Sequence, residues 1–305
     1  MYLFTNLLGS FIIENQIIKD QIIFPTLAEY QHKESAEKKL KKKYPQAISP
    51  PPDQLPLILQ LFREKKYFSD FSQKNLQLTT AAIQNSVTED QLIIQTIANV
   101  DDLNKVINLL SKRLREWYSW YFPELSKATP DNEMFAVLTR KKKTDLINEL
   151  GLSNDMGAEL SSQHIQEMQL LADEITTVYT LRRNHEQYLQ QVLKEYCPNL
   201  LELAGVIIAA RLIELGKSLK HLALLPSSTI QLLGAEKALF RHLKTGAKSP
   251  KYGVILAHPL VQKAQHRGKA ARMLADKLSL CARLDYFKGE FKAPHYLQEL
   301  EAKIT

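Results

Sequence analysis

Residues 226–287 read PSSTIQLLGAEKALFRHLKTGAKSPKYGVILAHPLVQKAQHRGKAARMLADKLSLCARLDYF, and this basic stretch decides how the chain is organised. Residues 217–292 around it carry 15 Lys and Arg against four Asp and Glu, a net charge of +11. The whole chain has a net charge of +7, so everything outside this segment sums to −4. Positive charge gathered on one compact domain attracts a polyanion, and the sequence predicts such a partner.

Short helices separated by glycine and proline turns are predicted inside this stretch. A helix over residues 235–243 is expected to turn Leu239 and Phe240 inward. Its outer face then carries cations spaced by four and three residues, namely Lys237, Arg241 and Lys244. Composition alone leaves open that these charges form a solvated face without a partner.

A longer helix is predicted over residues 269–286, and its start is basic. Arg267 and Lys269 lie where backbone N–H groups and the helix dipole favour a phosphate. Arg272 follows on a polar side of the same helix. These three cations are therefore candidate phosphate contacts.

Composition and length describe an ordinary globular chain of 305 residues, with 45% hydrophobic and 24% charged residues and a pI near 9.1. Cys197 and Cys281 are far apart, which predicts neither a disulfide framework nor a zinc site. The first residues lack a charged region and a cleavage site, so no secretory signal is predicted. The apolar run over residues 200–215 is interrupted by three charged residues and is expected to be a buried helix. A soluble intracellular protein fits these observations.

The first hundred residues are predicted to form a small α/β domain. Apolar runs bounded by Gly, Asn and Asp predict strands at residues 2–5, 9–13 and 21–24. A helix over residues 27–43, a further strand over 75–79, and a helix over 91–100 capped by Thr88 are expected to follow.

Residues 101–125 and the segment after them are predicted to be helical. A new helix is expected to begin at residue 101 and to be closed by Pro123. Between Gly157 and Pro198 there is neither glycine nor proline, and apolar residues recur in steps of three and four, at Met168, Leu171, Ile175, Val178, Leu189 and Val192. Arg182 and His185 interrupt this seam as one polar layer, and His185 is interpreted as a register residue rather than a metal ligand.

A second helix over residues 131–150 is expected to fold back on the seam as an antiparallel hairpin. An isolated two-helix hairpin buries little apolar surface, so a second copy of the chain is expected to cover it. The apolar seam residues are then the candidate dimerisation residues. Beyond the hairpin, one helix over residues 199–225 leads into the basic stretch.

An enzyme is not predicted, because the catalytic signatures are missing from the sequence. It contains no GxGxxG or P-loop, no HExxH and no GxSxG, and the basic region has no paired carboxylates. No catalytic residue, metal ligand or cofactor site is therefore assigned.

Five motifs in the basic stretch carry a family resemblance. They are GAEKALFR (234–241), LKTG (243–246), PKYG (250–253), RGKAAR (267–272) and ARLDYF (282–287). Together with REWYSWYFPEL (115–125), they resemble the Nop family, closely over residues 100–292 and loosely before them. The length of the chain is similar to that of the archaeal member, the scaffold of box C/D small ribonucleoproteins.

The resemblance implies a mainly α fold in four parts. Residues 1–115 would be a small α/β domain with a linker helix that holds the methyltransferase fibrillarin, and residues 116–205 a long antiparallel coiled-coil hairpin that joins two copies. Residues 206–292 would be an all-α Nop domain, and residues 293–305 a carboxy-terminal tail.

The resemblance also implies a non-catalytic role in guided 2′-O-methylation of ribosomal or transfer RNA. The Nop domain would grip a kink-turn guide RNA together with a kink-turn-binding protein of ribosomal type. Fibrillarin, and not this chain, would bind S-adenosylmethionine. The residues that match the family's RNA- and protein-facing motifs are Gly234, Ala235, Glu236, Lys237 and Arg241, then Lys251 in the PKYG loop, and Arg267, Lys269 and Arg272 at the start of the last helix.

An alternative is a spliceosomal relative that binds a kink-turn without fibrillarin. The predicted amino-terminal α/β domain argues against it, and a pull-down with fibrillarin discriminates between the two. A prokaryotic member is expected in the cytoplasm, a eukaryotic one in the nucleolus, and neither at a membrane.

Overall fold

The computed structural model describes residues 1–151 and 156–304, which form two compact units, Met1–Val87 and Thr88–Thr305. Residues 152–155 of the predicted coiled-coil part and residue 305 of the predicted tail lie outside the described residues. The protein is mainly helical with one small sheet, as the sequence predicts. The four predicted domain ranges stay an interpretation, and the predicted boundary at residue 115 falls inside a continuous helix.

The first unit is a three-stranded antiparallel sheet with helices on both faces. Its elements are β1 (Tyr2–Thr5), β2 (Gly9–Glu14), β3 (Ile17–Ile23), α1 (Leu27–Gln31), α2 (Lys33–Lys43), α3 (Leu55–Leu61) and α4 (Lys65–Gln84). The order is β1-β2-β3, so β2 is central and almost wholly buried. Phe11 of β2 packs on Phe62 beyond α3, while Ile12 faces Leu40 of α2. Successive side chains of β2 point to opposite faces of the sheet, so they contribute to two small hydrophobic cores, one on each face.

The predicted strand at residues 75–79 is wrong, because this segment lies within α4. No glycine or proline occurs between the first and last residues of α4, so nothing in the backbone interrupts a helix. The buried Lys74 ammonium pairs with Asp70 at 2.9 Å and donates to the Phe24 carbonyl at 2.6 Å. These interactions hold the middle of the helix in place, and they outweigh the strand preference of Thr79 at the end of this run.

The second unit begins with a stalk of two long antiparallel helices. Its elements are α5 (Glu89–Tyr118), α6 (Pro123–Ala128), α7 (Asn132–Leu138), α8 (Lys143–Leu150) and α9 (Ser162–Tyr196). The early part of α5 packs on the end of α9, and the end of α5 packs on the start of α9. Thr88 and Gln91 form a reciprocal capping box at the start of α5, so the predicted cap is confirmed.

The predicted helix start at residue 101 is wrong, since α5 continues without a break to Tyr118. The Asp101 carboxylate forms an ion pair with Arg211. The Arg211 guanidinium also binds the Glu214 carboxylate at 2.7 Å. An aspartate that acts as a helix cap in other settings is thus tolerated inside α5 by a tertiary partner. The pair ties the stalk to the carboxy-terminal helices.

The predicted hairpin has a different second arm. Residues 131–150 form two short helices, α7 and α8, and the seam of α9 is covered mainly by α5. The side chains of Met168, Ile175 and Leu189 are fully buried inside the chain, and those of Leu171, Val178 and Val192 are partly buried against its own cores. Assigning the buried three to dimerisation is therefore wrong, because a seam this long is satisfied by the equally long α5.

The polar layer of the seam has partners on α5. Arg182 donates to the Asn104 side-chain oxygen at 3.1 Å, and His185 lies 3.0 Å from the Asn99 amide. Matched polar groups at one level of an otherwise apolar helix pair disfavour slipped registers. This supports the interpretation of His185 as a register residue.

A cluster of hydrogen bonds from one arginine, which the sequence did not predict, stabilises the end of the stalk at the carboxy-terminal end of α5. The Arg115 guanidinium donates to the carbonyls of Thr129, Pro130 and Asp131 and to the Asn132 side chain, at distances of 2.7 to 3.1 Å. It also stacks on Phe135, 4.3 Å from the ring centre. One planar group with five donors thereby organises the whole loop before α7.

The remaining helices form one core around the long helix α16. They are α10 (Pro198–Ala204), α11 (Val206–Gly216), α12 (Leu219–Leu224), α13 (Ser227–Leu232), α14 (Glu236–Thr245), α15 (Pro259–Lys263), α16 (Arg267–Tyr286) and α17 (Ala293–Ile304), with a 3₁₀ turn at Val254–Ala257. The single helix predicted over residues 199–225 is wrong. It breaks at Gly205 and Lys217, both with positive φ, which a straight helix excludes. The predicted tail forms α17, which buries Ala293 and Leu300.

A buried carboxylate fastens this core. Asp285 of α16 accepts hydrogen bonds from the backbone N–H groups of Asn199 and Leu200 at 3.0 and 2.8 Å. The Asn199 side-chain oxygen in turn accepts from the N–H groups of Lys292 and Ala293. Burial raises the pKa of Asp285, although the hydrogen bonds oppose this shift. The ends of α10, α16 and α17 are thus fixed to one another.

In the part of the chain that the structure describes, no helix is both long enough and apolar enough to span a bilayer.

Candidate nucleic-acid interface

A groove of about 910 Å³ opens between the loop before the 3₁₀ turn and the start of α16. Four of the predicted cations line it, Lys251, Arg267, Lys269 and Arg272. Its other lining residues are Gln231, Ser249, Pro250, Tyr252, Ala264, Gln265, His266 and Gly268. The fold therefore brings together cations that are about 20 residues apart in sequence.

The loop that carries Lys251 is pinned to the end of α13. The N–H of Gly253 donates to the Gln231 carbonyl, and the N–H of Val254 donates to the Leu233 carbonyl, each at 2.8 Å. The Gln231 side chain donates to the Lys251 carbonyl. Gly253 is required here because a Cβ atom would overlap the Leu233 carbonyl oxygen.

A buried histidine fixes the segment between the 3₁₀ turn and α15. His258 caps α15 by accepting from the Leu260 N–H at 3.2 Å, and its other ring nitrogen lies 2.9 Å from the Leu203 carbonyl oxygen. This pattern requires a neutral ring that donates to Leu203, and burial lowers the pKa of His258 accordingly. This contact fixes the start of α15 to α10, a few residues before Ala264 and Gln265, which line the groove.

The start of α16 presents its cations toward the groove. Lys269 and Arg272 are three residues apart and share one side of the helix, and Arg267 stands in its first turn. The Lys251 side chain passes over Gly268, where an added Cβ would come within 3.2 Å of it. A 20-residue helix directs a positive dipole end at the same place, which favours an anion.

The positive charges of the groove are not neutralised by neighbouring carboxylates among the described residues. Other lysines of this unit, Lys277 and Lys292, have carboxylate partners at 2.7 and 2.9 Å. Among residues 1–151 and 156–304, none of the four groove cations has a carboxylate within 4.0 Å. Unpaired cations around a concave surface raise the local concentration of anions.

Helix α14 carries the second set of predicted residues. Gly234 takes a φ of +84°, and its N–H donates to the Glu236 side chain at 2.7 Å, which fixes the start of the helix. Lys237, Arg241 and Lys244 are exposed, at the predicted spacing. Ala235 is the N-cap residue.

The expectation that α14 packs inward through Phe240 is wrong. None of the ten described residues of α14 is buried, and Phe240 and Leu243 are 62% and 70% exposed. Amphipathic spacing shows that Phe240 and Leu243 share a side of α14, but it does not show whether the core covers that side. The helix offers a surface that combines cations with exposed apolar side chains.

Sequence reasoning missed the neutral members of the groove, chiefly Gln231, Tyr252, Gln265 and His266. Gln265 and His266 directly precede the RGKAAR motif, so adjacency could have indicated them. Gln231 enters through the pairing of two loops, which no local pattern reveals. Such amide, phenol and imidazole groups can hydrogen-bond to or stack on a nucleotide between phosphate contacts.

These features define a class of protein: a helical stalk joined to an all-helical domain with a basic groove suited to a polyanion. The chain belongs to the Nop family. The family model described as "snoRNA binding domain, fibrillarin" matches residues 99–305, which include most of the stalk, α14 and the groove.

Two curated relatives agree with this assignment in their sequences. An uncharacterized NOP5 family protein of Methanocaldococcus jannaschii is 40% identical over 263 residues, which is 80% of this chain and 62% of that protein. Nucleolar protein 56 of Schizosaccharomyces pombe is 38% identical over 222 residues, 65% of this chain and 45% of that protein. The chain thus spans about half the length of the curated relatives it matches. A chain from the crystal structure of a fibrillarin/Nop5p complex aligns with 99% of this chain and 100% of that one, with a TM-score of 0.47 and 21% identity.

Proposed function

We propose that the protein is a non-catalytic scaffold of a box C/D ribonucleoprotein, which holds a kink-turn guide RNA in the groove at the start of α16. The observation that carries the proposal is the set of four uncompensated cations, which lies inside the family-matched region. A folded RNA offers phosphates and 2′-hydroxyls to such a groove, and unstacked bases can approach its neutral residues. Phosphate contacts then dominate the affinity and make it depend on salt.

Helix α14 provides the second contact in this proposal. Its cations at Lys237, Arg241 and Lys244 face RNA, and the exposed side chains of Phe240 and Leu243 suit a protein bound to that RNA. A kink-turn-binding protein of ribosomal type is the partner that the family assignment favours. A composite surface of this kind recognises the RNA–protein complex better than either part alone.

The methyltransferase partner is fibrillarin, and the unit Met1–Val87 is the part proposed to hold it. Fibrillarin is named in the description of the matching family model, which supports this partner. The chain itself is proposed to contribute geometry, while S-adenosylmethionine and the reacting groups lie on fibrillarin. In an archaeal cell the assembly works in the cytoplasm, and in a eukaryotic cell it works in the nucleolus.

Charge reversal on α14 tests the scaffold role. Lys237→Glu or Arg241→Glu is expected to weaken assembly on guide RNA that carries the kink-turn-binding protein, and to reduce methyl transfer in a reconstituted particle. Binding of fibrillarin is expected to stay at the wild-type level, because α14 lies outside the unit proposed to hold it. Gel shifts, fibrillarin pull-down and methyl incorporation measure the three steps separately.

Lys194→Glu on the stalk is the matched control, since it makes the same charge change at an exposed position without an assigned role. The proposal fails for α14 if both variants assemble as the wild type does at every salt concentration. If the wild-type chain does not bind fibrillarin in the pull-down, the alternative of a spliceosomal relative that acts without fibrillarin is favoured.

We also propose that the protein self-associates through the stalk. The contacts would be made by apolar side chains that are exposed in the single chain rather than by the buried residues of the seam. Leu109 of α5 and Leu170 of α9 are exposed on the described surface, as are Met134 and Val137 of α7. A second copy that covers these side chains removes apolar area from water. The proposed particle then carries two groove-bearing domains.

The expected result is a dimer by light scattering at micromolar concentration and a monomer for the double variant Leu109→Glu/Leu170→Glu. Each glutamate places a charge where apolar contact is required, at a cost of several kcal/mol for the pair if both are buried. Leu224→Glu, at an exposed leucine outside the stalk, is the control and is expected to remain dimeric. A monomeric wild-type chain contradicts the proposal.

A further inference from the structure

The carboxy-terminal helix α17 ends beside the start of α16. Its first residue is held by the Asn199 side chain, and Glu299 pairs with Lys277 of α16 at 2.7 Å. Lys277 also lies over the Tyr296 ring, 4.5 Å from its centre. These contacts fix α17 antiparallel to α16, so its last turn is placed rather than free.

A small cleft of about 80 Å³ adjoins the basic groove at this point. It shares Gln265, His266 and Lys269 with the groove, and its far wall is formed by Lys303 of α17. The groove therefore does not stop at α16. It continues to a cation on a helix that sequence reasoning treated only as a tail.

Lys303 is poorly neutralised by its surroundings. Its described carboxylate neighbour is Glu299, 3.9 Å away, and that carboxylate is already engaged by Lys277 at 2.7 Å and by His295 at 2.9 Å. The Lys303 side chain is 63% exposed. An ammonium at that distance from a shared, solvated carboxylate keeps most of its attraction for another anion.

The acids on the other side of Lys303 mark the limit of this surface. A neighbouring hollow is lined by Asp276 and Glu299 together with Lys277 and Lys303. The two acids of this hollow balance its two lysines, so it attracts a chain of phosphates less than the groove does, and the favourable path runs from Lys251 past Lys269 to Lys303.

We propose that Lys303 contacts an RNA phosphate next to the one held at Lys269, which makes the end of α17 part of the RNA-binding surface. The inference rests on the proposed function, because it extends the same groove. The competing explanation is that Lys303 only offsets the dipole at the end of α17, where a cation is favourable in any helix.

The test is equilibrium binding of the full chain to a synthetic kink-turn RNA that carries the kink-turn-binding protein, over a series of salt concentrations. Lys303→Ala is expected to make the slope of log K against log salt shallower by about 0.7 to 0.9, the value for one lost phosphate contact. Lys303→Arg is expected to keep the wild-type slope. Thermal unfolding of each variant measures the helix-dipole contribution independently of RNA.

Lys194→Ala removes the same charge from the stalk and is expected to leave the slope unchanged. A wild-type slope for Lys303→Ala, with a shallower slope for Lys269→Ala, overturns this inference and leaves the proposed function standing. An equal loss in Lys194→Ala also overturns it, because the effect is then one of net charge. Failure of the wild-type chain to bind the RNA overturns both the inference and the proposed function.

Discussion

Gly253→Ala is expected to abolish tight RNA binding and to lower the free energy of unfolding by about 3 kcal/mol. The new methyl group overlaps the Leu233 carbonyl oxygen, so the loop before the 3₁₀ turn must move away from α13. That movement breaks two backbone hydrogen bonds and carries Lys251 out of the groove. One small substitution thus removes a wall of the site without touching its charge.

Gly246→Ala is the matched control. Gly246 has a φ of +68°, but open space surrounds the position of its missing Cβ. The expected cost is the left-handed backbone strain alone, about 1 kcal/mol, with RNA binding retained. Urea unfolding and RNA titration of both variants separate the two cases. Equal stabilities and equal affinities for the two alanine variants contradict the assigned role of the loop.

Local signals in the sequence predicted much of the fold. The Thr88 cap, the three short strands and the long helix that ends within the ARLDYF motif are all present, because each depends on neighbouring residues. The strand expected at residues 75–79 failed because a helix without Gly or Pro continued through it. The break expected at Asp101 failed because its partner Arg211 is 110 residues away.

Sequence patterns do not settle which of two segments packs against the seam of α9. The seam of α9 could pack on residues 131–150 or on residues 89–118, and both carry apolar residues in helical steps. The structure uses α5, since a 30-residue helix covers far more of a 35-residue seam. The dimerisation residues inferred from the seam were consequently misassigned in part.

The sequence predicted the individual cations of the candidate site but not which of them lie together. Its cations were predicted, because Lys and Arg at the start of a helix have a simple physical meaning. The grouping of Lys251 with Arg272, and the inclusion of Lys303, depend on how α13, α16 and α17 meet. Those contacts join parts of the sequence that carry no shared pattern.

The double variant Arg267→Glu/Arg272→Glu is expected to lower RNA affinity by about a hundredfold or more. Each change replaces an attraction to phosphate with a repulsion, and both residues line the same groove. Their side chains are exposed and have no described carboxylate partner, so folding is expected to be unaffected. Circular dichroism and thermal unfolding verify that point.

Lys41→Glu/Lys42→Glu provides the matched control. These two exposed lysines belong to the basic end of α2 in the first unit, and their reversal changes the net charge by the same amount. The control variant is expected to bind RNA nearly as the wild type does, because long-range repulsion between exposed charges is screened by salt.

The decisive measurement is titration of a fluorescent kink-turn RNA that carries the kink-turn-binding protein with the wild-type chain and these two double variants, repeated at several salt concentrations. Arg267→Glu/Arg272→Glu alone is expected to lose affinity and to show a shallower dependence on salt. Unchanged affinity and slope for that variant, or an equal loss for Lys41→Glu/Lys42→Glu, would contradict a binding site at the start of α16.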